Sequence, residues 1–83
     1  MRLDVPEKIM REVETADRRY GDFTSSHEGY GVLAEEVAEL LEVIRLNDAE
    51  SIIDEACQCA AVATRLAASM LNEATRERSG CAS

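Results

Sequence analysis

The sequence predicts an all-α protein of three helices, and three observations carry that reading. Apolar residues recur at helical spacing in three successive stretches, and helix caps and breakers separate the stretches. The apolar residues are mainly Leu, Ile, Val, Ala and Cys, with no Trp, one Phe and two Tyr. At 83 residues the chain is read as a single domain over 1–78, with 79–83 as a frayed tail. A domain this small buries only a modest share of its unfolded surface. The three helices are therefore expected to complete a four-helix-type bundle by oligomerisation, as a homodimer or homotetramer.

The first helix is predicted from about 5 to 20. Asp4 stands as a candidate N-cap, Pro6 suits a first turn, and Ile9, Met10, Val13, Ala16 and Tyr20 keep helical spacing. Gly21 ends it, and Asp22 to Ser26 is rich in turn and capping residues. The second helix is predicted from Glu28 or Gly29 to Leu46, with Leu33, Val37, Leu40, Leu41 and Ile44 on one face. Gly29-Tyr30-Gly31 lacks both the preceding strand and the Lys-Ser/Thr ending of a phosphate loop, so its glycines read as the start of a helix.

Asn47-Asp48 is a short break, with Asp48 placed to cap a long third helix carrying Ile52, Ile53, Ala56, Cys57, Ala60, Ala63, Ala67, Met70 and Leu71. Between Ala56 and Leu71 the only polar side chains are Gln58, Thr64, Arg65 and Ser69. A helix so apolar around its circumference belongs in the middle of a bundle, and its alanines allow neighbouring backbones to approach closely.

A net charge of −8 argues against a polynucleotide or an anionic membrane as partner, since both select for Lys and Arg. An anionic small molecule stays compatible if divalent cations stand between carboxylates and phosphates. The odd count of three cysteines, with no signal peptide and no apolar run of about 20 residues, favours a reduced, cytoplasmic setting. Cys57 and Cys59 point to different faces of a helix and have no His at ligand spacing, so they read as packing residues.

Glu36 and Glu39 are three residues apart and share one side of the second helix, with Glu36 at the edge of the apolar stripe. Glu55 heads the row Glu55, Cys59, Val62, Leu66, otherwise apolar, and so faces inward. If the helices pack antiparallel across Asn47-Asp48, Glu39 and Glu55 stand equally far from the turn and meet. Such carboxylates give the all-oxygen environment that Mg²⁺ or Mn²⁺ prefers, and Glu35 beside them is placed to accept a proton from a bound water. The alternative is a solvated acidic face, which suits Glu35 and Glu42 well.

The run Glu35-Glu36-x-x-Glu39, then fifteen residues, then Glu55-x-x-Gln58, resembles the Glu-x-x-Glu … Glu-x-x-Asp signature of the MazG-like nucleotide pyrophosphohydrolases. Arg19-Tyr20-Gly21, His27-Glu28-Gly29-Tyr30 and Gln58 to Arg65 extend the likeness to a compact, often phage-borne branch, over roughly residues 8 to 70. The resemblance implies an all-α oligomer that uses Mg²⁺ to cleave a nucleoside triphosphate, typically a deoxynucleotide, between its α- and β-phosphates. It also implies a phage-encoded protein at work in a host cytoplasm.

Carried over by position, the metal ligands are Glu36, Glu39 and Glu55, with Gln58 at the fourth place where the family has aspartate. An amide oxygen still ligates a hard cation, but one negative charge is lost. Two accounts follow: turnover with three carboxylates and an amide, or an inactive helical oligomer that binds a nucleotide or another protein. His27 and Tyr30 are candidates to contact a base, the alternative being a helix-start staple and an exposed imidazole. Arg65 is a candidate phosphate contact or a salt-bridge partner.

Overall fold

The computed structural model describes residues 4–81, except for the side chains of 78–81, and among these residues it is all-helical with three helices and no strand. Helix α1 spans Val5–Tyr20, α2 spans Ser26–Leu46 and α3 spans Ala49–Cys81. Among the described residues, no helix is long and apolar enough to cross a membrane.

Local chemistry accounts for each boundary. Asp4 Oδ1 accepts the Glu7 N–H at 2.9 Å, Pro6 occupies the first turn, and Gly21 closes α1 at φ 71° while donating to the Asp17 carbonyl. That left-handed backbone is where glycine avoids a steric cost.

Helix α2 begins two residues before the earlier of the predicted starts, because Ser25 is its cap. The Ser25 hydroxyl accepts the Glu28 N–H at 3.1 Å, and Glu28 Oε1 reaches back to the Thr24 N–H at 2.8 Å. This is a reciprocal arrangement close to a capping box. Asn47, left-handed at φ 56°, ends α2, and Asp48 starts α3 by accepting from the Ser51 hydroxyl at 2.8 Å. Hydrogen bonds from Ser51 hold the Asp48 carboxyl below its usual range.

Helix α3 is the spine. It packs against both α1 and α2, whose own backbones stay more than 8 Å apart between Cα atoms among the described residues. Its 33 residues should measure about 50 Å, which accounts for the longest dimension of the molecule, 54 Å. The radius of gyration, 15.1 Å, exceeds the roughly 12 Å of a compact chain of this length.

The helix is described as far as Cys81, past Ser79 where the tail is expected to begin. Residues 82 and 83 of the expected tail lie outside the described residues.

The core is thin. Among the described residues, Val13, Cys57, Ala61 and Val62 are its buried apolar members, and no large side chain is fully enclosed. Gly29 is buried where α2 crosses α3, and a Cβ there would stand 2.6 Å from Leu66 Cδ1. Its role is therefore close packing as well as helix initiation, whereas Gly31 faces open space. In the single chain α3 is not enclosed as its composition predicts: Ile53, Ala56, Ala63, Ala67 and Leu71 are exposed, as are Val37, Leu41 and Ile44 of α2.

Candidate functional site

The antiparallel crossing of α2 and α3 brings Glu36, Glu39 and Glu55 together, with one carboxylate oxygen of each within 4.8 Å of the others. Glu36 and Glu55 are half-buried and Glu39 is exposed. The Oε2 atom of Glu55 is shielded from solvent and receives no hydrogen bond. Three like charges at this separation repel, and the half-burial of Glu36 and Glu55 removes part of the water that would screen them.

The Glu55 carboxyl is consequently raised to about 7, first by hydrogen bonding with the Glu36 carboxyl, then by burial and by the charges of Glu36 and Glu39. Cys59, one turn further along α3, is also shifted. Burial first, and then the charges of Glu55, Glu36 and Glu39, push its thiol up and keep it protonated. Cys57 is buried in the core as a free thiol.

Glu36 also lines a cavity of about 630 Å³ walled by α1 and α2, with α3 as floor. Gln58 lines the same cavity, so the fourth position of the motif shares a wall with Glu36. Glu12 and Arg19 of α1, Asp22 and Phe23 of the connecting loop, and Glu28 of α2 complete much of the rim.

The other sequence candidates are placed differently. Glu35 is exposed and belongs neither to the acidic cluster nor to the cavity lining. His27 and Tyr30 are exposed at the start of α2, Tyr30 by 68%, and neither lines the cavity.

Arg65 does line the cavity, but its guanidinium is already engaged. It is 6% exposed; Nε donates to Asp17 Oδ1 at 3.1 Å, Nη2 donates to the Gly21 carbonyl at 2.9 Å, and the group lies 4.5 Å from the Phe23 ring centroid. Of its two sequence readings, the salt-bridge partner is the one observed.

Residues that the sequence reading did not single out surround this arginine. Ser69 is buried and its hydroxyl accepts the Phe23 N–H at 3.1 Å, while Asn72 Nδ2 donates to Asp22 Oδ2 at 3.2 Å. The signal was present, because Gln58, Arg65, Ser69 and Asn72 form a polar line at spacings of seven, four and three on an otherwise apolar helix. Comparisons with protein-family models, with curated proteins and with solved structures return no match to this chain.

Proposed function

We propose that this chain hydrolyses a nucleoside triphosphate, foremost a deoxynucleotide, to monophosphate and pyrophosphate, with Mg²⁺ or Mn²⁺ held by Glu36, Glu39 and Glu55. The observation that supports the reading is the convergence of three carboxylates around a buried Glu55 oxygen that has no donor. Exposed acidic groups commonly cluster without a metal, but here one oxygen is shielded and two of the three residues are half-buried. Such a set asks for a proton or a cation, and its hard oxygens suit Mg²⁺.

Bound there, the metal supplies charge neutralisation for phosphate oxygens and acidifies a water. The residues of the chain supply the positions. Glu36 belongs to both the acidic cluster and the cavity, so it links the metal end to the space a nucleotide would occupy. Gln58 offers a neutral amide oxygen on the same wall. Water oxygen bonds to the α-phosphorus as the bond to the α–β bridging oxygen breaks; pyrophosphate leaves with that bond's electron pair, and the water's proton passes to a carboxylate at the cavity or to solvent. Glu35 does not line the cavity of the single chain; the acidic residues of α2 that line it are Glu28 and Glu36.

That placement, together with Gln58 at the fourth position, favours a second reading, an inactive oligomer that binds a nucleotide or a protein through the same groove. One experiment separates the two. Purified chain with Mg²⁺ should release pyrophosphate from at least one member of a nucleotide panel, and Glu39→Gln should abolish release while helical content is unchanged. Nucleotide binding without product supports the inactive oligomer, and the absence of both defeats the nucleotide reading.

We also propose that a second copy covers the exposed apolar faces of α2 and α3, completing a four-helix-type bundle as a homodimer or homotetramer in the cytoplasm of a phage-infected host. Val37 and Leu71, 50% and 64% exposed, lie on those faces. Exposed apolar side chains on two adjoining helices are what a helical partner would bury.

A further inference from the structure

We propose that the α1–α2 loop is the nucleobase wall of the groove, with Phe23 as its stacking surface and Arg65 as the positioning residue that holds the ring. The proposal rests on the nucleotide reading above and adds to it where the base lies. The cavity, about 630 Å³ in volume, is of the size small-molecule sites take. Glu36 marks the part where the metal and triphosphate belong, because carboxylates exclude phosphates unless a cation intervenes. The nucleoside must then extend toward the rest of the lining, and there the loop contributes Gly21, Asp22, Phe23 and Thr24.

Surface loops are usually the most mobile part of a small domain. This one is held at three consecutive residues by three side chains of α3. Arg65 donates to the Gly21 carbonyl, Asn72 donates to the Asp22 carboxylate, and Ser69 accepts from the Phe23 N–H. Arg65 and Ser69 are the two buried polar residues among those described, and both are committed to this loop.

Burying a guanidinium and a hydroxyl in so thin a core costs stability, and an apolar pair would pack α1 against α3 without that cost. The polar clasp does what an apolar pair would not: it fixes the chain's only phenylalanine at the cavity with a cation 4.5 Å from its ring centroid. A fixed aromatic ring accepts any nucleobase by stacking and does so without hydrogen-bond selection.

The test compares two ligands by calorimetry in the presence of Mg²⁺: a nucleoside triphosphate that the wild-type chain binds, and inorganic tripolyphosphate, which has no base. Phe23→Leu keeps apolar bulk and removes the ring. It should weaken the nucleotide about tenfold or more while tripolyphosphate stays within about twofold. Arg65→Lys keeps the charge and loses the fork that spans Asp17 and Gly21. With it, KM should rise by a larger factor than kcat falls.

Equal weakening of both ligands by Phe23→Leu, or of neither, overturns the proposal while leaving pyrophosphohydrolysis intact. If the wild-type chain neither binds nor cleaves any nucleotide, the function itself is wrong and this inference falls with it.

Discussion

Helix α3 carries two polar clusters of opposite character. Around Arg65 every group has a partner: the guanidinium has a carboxylate, a carbonyl and a ring, and Ser69 has a backbone N–H. Around Glu55, nearly three turns toward the N-terminus, three carboxylates face one another and a shielded oxygen has no donor. The first cluster is complete within the chain and contributes to its fold. The second is complete only with a proton or a cation added. A polar cluster that satisfies itself holds a wall in place, and one that does not asks for a ligand.

Breaking the complete cluster should have the larger effect on stability. Arg65→Ala removes the ion pair, the bond to the Gly21 carbonyl and the contact with Phe23 together. Asp17 is about half exposed, so its freed charge is hydrated and the cost falls below that of a fully buried pair. The expected loss is about 2–3 kcal/mol, read from urea unfolding with Mg²⁺ absent. A loss below about 0.5 kcal/mol would place the cluster among ordinary surface pairs.

The incomplete cluster should behave in the opposite sense. The Glu55 carboxyl is raised to about 7 from an ordinary 4.5. A group raised in the folded state stabilises it fully below the unfolded value and loses that contribution as pH rises through the folded value. The metal-free chain should therefore lose stability between about pH 4.5 and pH 7, and Mg²⁺ should flatten the slope by taking the place of the proton.

Glu55→Gln should remove the same slope and stabilise the metal-free chain at about pH 8 by on the order of 1 kcal/mol. The figure is discounted for the water that still reaches Glu39. Thermal unfolding over a pH series, with and without Mg²⁺, reads both effects. Identical slopes in wild type and variant would show that Glu55 is not the group responsible.

The smallest expected effect lies outside both clusters. Asp4→Ala removes the cap on α1 and should cost about 0.5–1 kcal/mol with no influence on metal binding. Circular dichroism during denaturation checks the first part, and an Mg²⁺ titration checks the second.

Much of this architecture is legible in the residues themselves. Asp4, Pro6 and Gly21 delimit α1 at its predicted ends, because capping and left-handed termination are local chemistry. The α2 start is placed late by two residues, because Ser25 and Glu28 complete each other's bonding only once Thr24 is bent back. The meeting of Glu36, Glu39 and Glu55 follows from helical spacing and an antiparallel turn, and both are sequence-readable.

The Arg65 clasp is less legible. Its partners lie 44 to 50 positions away in the chain, and no local pattern shows which loop a polar line on a helix will meet. For the same reason His27 and Tyr30, sensible on position alone, stand outside the cavity, while Phe23 lines it.

The most direct test of the central claim is a calorimetric titration of Mn²⁺, with Mg²⁺ as competitor, into the wild-type chain and into Glu55→Gln at about pH 8. The account predicts metal binding by the wild type that Mg²⁺ displaces and that the variant loses, with helical content equal in the two. Binding that survives in Glu55→Gln, or none in the wild type, would contradict it.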